Sequence, residues 1–172
     1  MRNILVVSSC TKGKKKEKDR ASELYSGEQH LLVKKGVKLL REKNIVDWYI
    51  ISAKYGLIHE DEIVEPYNKS FTGLSKKEIR ELSKKLRIKK KLSEVIEEKS
   101  YEKAFFLLGE QYLTSIENFL KGVPPYSVFF AAREIDGAET MPCGIKEAKK
   151  YQRSVISLKG YLFVEYIKKE MR

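Results

Sequence analysis

Cysteine is nearly absent. Cys10 and Cys143 are the only two in 172 residues, too few for a disulfide framework, so a reducing cytoplasm is the expected location. Long apolar runs are missing as well. None approaches the roughly 18 to 20 residues of a membrane span, so no membrane partner is expected. Ile4 to Val7 runs at once into Ser8-Ser9-Cys10 and a lysine cluster, which reads as a first strand rather than a secretory leader. With no internal repeat and no low-complexity linker, residues 1–172 are expected to form a single domain. Acidic residues are in deficit: 24 Asp plus Glu against 35 Lys plus Arg leave a net charge of +11. That balance favours a polyanionic partner, nucleic acid or nucleotide. Lysine-rich surfaces that serve only solubility are the plain alternative.

What is present alternates. Ile4 to Ser8 is an unbroken apolar run of the kind buried on both faces of a parallel sheet. Glu28 to Lys43 places Leu32, Val33, Val37 and Leu40 on one helical face. Asp47 to Ser52 reads as a second strand, Lys103 to Leu108 as a third and Tyr126 to Ala131 as a fourth. Ala53 to Gly73 has no clean period and is expected to be a long loop. Ser75 and Glu78 form a capping box for a helix along Ile79, Leu82 and Leu86, with a break near Ile88 to Lys91. A short helix is expected over Glu110 to Leu120. The chain should close on one long helix from about Ile145, with a stripe through Ala148, Tyr151, Val155, Leu158, Leu162 and Tyr166. The fold class is therefore α/β: a three-layer, Rossmann-like domain whose mostly parallel sheet has at least four strands and helices on both faces.

In such sheets the ligand crevice lies beyond the carboxyl ends of the strands. Ser9, Cys10 and Lys12 follow the first strand, and Gly13 alone does not make a P-loop. An anion site held by hydroxyls, backbone N–H groups and Lys12 is one reading, a solvated basic loop the other. Lys54 and Tyr55 follow the second strand, with Gly56 permitting a turn that returns both to the crevice. Pro66-Tyr67 stiffens the exit. A lysine beside a tyrosine can hold phosphate or assist proton transfer, or Tyr55 and Tyr67 can simply pin the loop. Gly109 after the third strand allows close approach of a ligand.

Ser52-Ala53-Lys54-Tyr55-Gly56-Leu57 followed by Ile63-Val64-Glu65-Pro66-Tyr67 resembles the signature of the YaaA-type peroxide-stress proteins. It is also similar to a related family of small uncharacterised α/β proteins. Both resemblances include a lysine-bearing loop after the first strand and a Leu24-Tyr25 pair. They cover about the first 75 residues, with Gly109 and Tyr112 beyond. The resemblance implies a Rossmann-like core and, through the YaaA-type proteins, DNA binding and a part in limiting oxidative damage.

The resulting expectation is a nucleotide- or nucleic-acid-binding domain, with no cofactor and no metal implied. Lys12 would contact phosphate, as would Lys54, and Tyr55 and Tyr67 would stack on a base. If the protein is an enzyme, cleavage at a base–sugar bond is the favoured class. Lys54, Tyr55 and Glu65 are then the catalytic candidates and Glu65 the acid or base. Ser9, Cys10, Lys12, Tyr67 and Gly109 are the ligand-binding candidates. Two basic patches, Lys14-Lys15-Lys16 and Lys89-Lys90-Lys91, are expected to meet nucleic acid through a salt-sensitive interaction. A non-catalytic DNA-binding stress protein and a protein-interaction module with a basic face are the alternatives. Cys10, His59 and Cys143 lack the spacing of a zinc motif, and His30 reads as a surface or capping residue.

Overall fold

β1 (Arg2–Ser9) lies at the centre of the architecture. Its side chains alternate: Ile4 and Val6 enter one apolar cluster, Leu5 and Val7 the other. The computed structural model describes residues 1–171. After β1 come β2 (Asp19–Arg20), α1 (Ala21–Leu24), α2 (Glu28–Leu40), β3 (Asn44–Ser52), β4 (Gly56–His59) and β5 (Ile63–Val64). The chain continues through α3 (Lys76–Lys85), α4 (Ile88–Glu98), β6 (Lys103–Leu107), α5 (Glu110–Ser115) and α6 (Glu117–Leu120). It ends with β7 (Ser127–Ala131), β8 (Glu139–Pro142), α7 (Ile145–Lys150) and α8 (Val155–Glu170).

Six strands form one sheet in the order β4-β3-β1-β6-β7-β8. All neighbours in it are parallel except β3 and β4. The fold is the expected α/β class, with helices packed on both faces. Val33 and Val37 of α2 join Leu158 and Phe163 of α8 over one face. Ile79, Leu92 and Leu113 of α3, α4 and α5 cover the other. The chain passes from β1 to β3 on one side, then crosses to β6 on the other side of β1. The strand order therefore reverses between β1 and β6, and a crevice opens outside their carboxyl ends.

Four sequence readings need correction. The stretch 53–73 is not all loop: Gly56, at φ 77°, starts β4 and turns the chain back antiparallel along β3. β5 then pairs with β2, setting Asp19 opposite Val64 and Arg20 opposite Ile63. This clip ties the segment after β1 to the segment after β4. The closing helix is two helices, because Gln152 adopts φ 52° and Ser154 caps α8 anew through Ser157 N–H. The buried face of α8 is consequently Leu158, Phe163, Val164 and Ile167, while Val155 is exposed and Leu162 and Tyr166 are only half-buried. The break expected near residues 88–91 falls earlier, at Arg87, whose backbone is left-handed at φ 57°. A smaller break at Ile116 divides the helix expected over 110–120.

α2 and α8 touch through glycines. A Cβ on Gly36 would stand 2.4 Å from Phe163 Cε1, and one on Gly160 would stand 2.7 Å from Leu32 Cβ. Gly160→Ala is therefore expected to cost about 1–3 kcal/mol of stability, read as a lower urea midpoint with an unchanged slope. A loss below a few tenths would mean that the helices are free to part.

Candidate anion site at the crevice between β1 and β6

Backbone bonds fold the loop after β1 into place. Cys10 N–H donates to Ile51 O at 2.9 Å, Lys15 N–H to Leu24 O at 2.9 Å, and Ser26 N–H to Gly13 O at 3.0 Å. The segments after β1 and β3 therefore do converge on one rim. Between β1 and β6 lies a cavity of about 440 Å³. Ser9, Cys10, Thr11, Lys12 and Lys14 form one wall, Gly109, Gln111 and Tyr112 the opposite one. Asn68 to Thr72 cover a third side, and buried Gln29 and Lys159 line the back from α2 and α8, with exposed Ile156 at the rim.

The electrostatics are one-sided. Four lysines line the cavity (Lys12, Lys14, Lys69 and Lys159) and no Asp or Glu does. Partial burial lowers the Lys14 pKa, with the Cys10 thiol acting in the opposite sense. Its Nζ donates to Lys12 O at 3.1 Å and sits 4.5 Å above the Tyr67 ring. Burial likewise lowers the Lys159 pKa. Cations without counter-charges, at the switch point of a parallel sheet, suit an anionic ligand.

Under this wall runs a chain of hydroxyls. Ser52 Oγ donates to Tyr67 Oη at 2.7 Å, Tyr67 and Tyr25 share a hydrogen bond of 2.7 Å, and Cys10 Sγ and Tyr112 Oη share one of 3.0 Å. Burial, above all, raises the pKa values of Tyr25, Tyr67 and Tyr112, so these phenols stay protonated. Ser52 Oγ also accepts the N–H groups of Lys54 and Tyr55 at 3.2 and 3.1 Å. The Ser-Ala-Lys-Tyr-Gly-Leu and Pro-Tyr motifs thus meet, and what they build first is a rigid scaffold for the loop.

The expected residues divide accordingly. Ser9, Cys10, Lys12 and Gly109 come together in the cavity, and Lys14 of the first basic patch joins them. Lys54 is exposed, with its ammonium 5.3 Å from the Tyr55 ring. Tyr55 donates to Glu65 O at 3.1 Å and meets Tyr67 edge-on at 5.3 Å. Neither tyrosine lines the cavity, and Lys14 covers a face of Tyr67, so base stacking on this pair is not what their geometry serves. The Glu65 side chain is exposed and lies outside the cavity lining.

Buried Glu60 pairs with Arg41, and Glu110 takes Arg133 at 3.0 Å. Lys15 pairs with Asp19 at 2.7 Å and Lys16 is exposed. Lys89 and Lys90 line a separate groove with Lys84 and Arg87, between α3, α4 and the α5–α6 segment. Lys91 is exposed beside it. The two basic patches therefore belong to two places.

Among the described residues no three His, Cys, Asp or Glu side chains gather as a metal site. No helix there is long and apolar enough to cross a membrane. His30 is not at the surface. It is 1 % exposed, its ring stacks on Trp48 at 5.0 Å, and its Nε2 bonds Ser22 O at 2.8 Å.

Lys159 and Gln29 went unnoticed in the sequence. A signal for Lys159 existed: it is the one charge in the run Val155 to Val164. Gln29 offered none, since a glutamine in a first helical turn is unremarkable there.

No curated protein matches the sequence. The family comparison covers the Ser52–Tyr67 motif region and gives a family of unknown function; it shows no link to the peroxide-stress proteins. Residues 4–128 match the model of a family of unknown function, DUF6884, and with well over half of its length matched, the chain belongs to that family.

Proposed function

We propose that the protein binds a nucleotide, free or as part of a nucleic acid, in the crevice between β1 and β6. The observation that carries this reading is the cavity wall of four lysines without a single carboxylate. Its volume suits one mononucleotide unit, and apolar surface is at hand for a base: Ile156, 76 % exposed, stands at its rim. Lys12 and Lys14 are the phosphate contacts of the mouth. The groove with Lys89 and Lys90 would add non-specific, salt-sensitive contacts to a longer strand. DNA binding in a stress role, which the YaaA-type resemblance implies, rests on the Tyr-Gly-Leu and Pro-Tyr motifs alone.

The hydrolytic version of this reading is weaker. Base–sugar cleavage with Glu65 as acid or base needs a carboxyl group facing the ligand, and the cavity lining has none.

Titration calorimetry with adenosine nucleotides and a short single-stranded oligonucleotide at low salt tests the proposal. Binding is expected, and the paired change Lys12→Ala with Lys14→Ala should weaken it about tenfold or more, as loss of charge-assisted contacts does. Changing Lys89, Lys90 and Lys91 to Glu should leave mononucleotide binding intact. Absence of binding by every nucleotide and oligonucleotide would overturn the reading in favour of a protein partner for the basic face.

A further inference from the structure

The back of the same cavity is built differently from its mouth. Lys159 projects from α8 and is only 8 % exposed. Among the described residues, the ionisable neighbour that acts on it is the Cys143 thiol, which burial pushes up to about 12 and so keeps neutral. No carboxylate lines the cavity beside this ammonium, so it gains no counter-charge there. Gln29, 6 % exposed, stands beside it. Its Oε1 accepts Gly160 N–H at 2.8 Å, which fixes the amide orientation. Its Nε2 is then buried with no partner. A buried amide donor left unmet in this way is destabilising. An ammonium without a counter-charge and an amide donor without a partner, on two helices joined through Gly160 and on residues lining one cavity, call for the same thing: a compact anionic acceptor.

We propose that the Lys159–Gln29 corner receives a terminal phosphate monoester. This inference rests on the nucleotide reading of the cavity and narrows it. A phosphate with one attachment can enter a back wall and offer several free oxygens to an ammonium and an amide. A phosphodiester within a strand would have to bring chain in on both sides of a site that α2 and α8 close. Lys12 and Lys14 at the mouth then meet the remaining charge of the ligand. The monoester can come from a free mononucleotide or from the phosphorylated end of a strand.

The test is calorimetry on the full chain with four probes: adenosine, adenosine 5′-monophosphate, and one pentanucleotide with and without terminal phosphate. Two variants accompany the parent. Lys159→Met removes the charge and keeps the length. Gln29→Glu keeps the acceptor for Gly160 N–H and gives Lys159 a partner, so the fold is retained while phosphate is repelled. The phosphorylated member of at least one pair is expected to bind about tenfold tighter or more, as one charge-assisted bond provides, and both variants should erase that preference. Preference within the adenosine pair alone identifies a free nucleotide. Preference within the pentanucleotide pair alone identifies a strand end. Equal binding within both pairs, or a preference that survives both variants, overturns the proposal. If that equal binding still falls with Lys12→Ala and Lys14→Ala, the nucleotide reading stands without it, whereas no binding at all removes both.

Discussion

Phe163→Ala lowers the unfolding free energy by about 3–5 kcal/mol, measured by urea titration. Phe163 is fully buried. Its ring meets Phe105 at 5.3 Å and Phe130 at 5.8 Å, and on the other side it rests against Gly36. The neighbours are poorly placed to fill the void. Phe105 and Phe130 are fixed by adjacent strands, and Gly36 has no side chain to move. Phe163→Leu keeps most of the volume and should lose clearly less. The same ring locks α8 against α2 one turn from Lys159, so ligand binding should fall along with stability in Phe163→Ala. A loss under about 1.5 kcal/mol, the range of tolerated repacking, would mean that the aromatic cluster is loosely packed.

Acidification through the histidine range is the second large effect. Burial, above all, lowers the pKa of His30 from 6.5, so the folded protein holds the ring neutral while the unfolded chain protonates it near 6.5. The unfolded state thus binds more protons below that pH. The stabilisation is fully present above about 6.5 and is lost as pH falls towards the folded value, by at most about 1.4 kcal/mol per pH unit for one proton. The groups around the ring explain the direction. Trp48 and Tyr25 present aromatic surface, Ser22 O takes one nitrogen, and the other is buried without a partner. The charge of Lys34 also opposes protonation, with Glu23 acting the other way. Carboxylates held down by partners, Glu23 by Lys34 and Asp47 by Lys99 and Tyr101, start from 4.5 and 3.8. Their share is lost only at more acid pH. Melting temperatures between pH 7.5 and 5 should therefore fall in the parent and fall less in His30→Gln. Equal slopes in the two proteins would contradict this.

How much of this the chain announces depends on the range of the forces involved. β1, β6 and β7 are legible because strands buried on both faces carry apolar runs, and β3 because Trp48 to Ile51 is aromatic and β-branched. The Ser75–Glu78 capping box is legible because both partners lie within one helical turn. The reversal of strand order is harder. It follows from which strand β6 chooses as neighbour, and no local pattern encodes that choice. β4 and β8 have four residues each, too short for alternation to stand out from a loop. The split between α7 and α8 turns on Gln152, a residue type with no special taste for positive φ. The mouth of the cavity was readable from Ser9, Cys10, Lys12 and Gly109 because strand ends are predictable places. Lys54, Tyr55 and Glu65 carried a visible motif, yet that motif is spent on hydrogen bonds that shape the loop. The back wall was hidden because it arrives from two helices 131 positions apart at the Gln29–Gly160 contact.

The span shared with the family stops at residue 128, ahead of α8. The crevice therefore draws Ser9, Cys10, Lys12, Lys14 and Gln29 from the matched span and Lys159 from outside it. The two portions are not separable pieces, because α8 is tied into the core through Phe163 and to α2 through the Gln29–Gly160 bond.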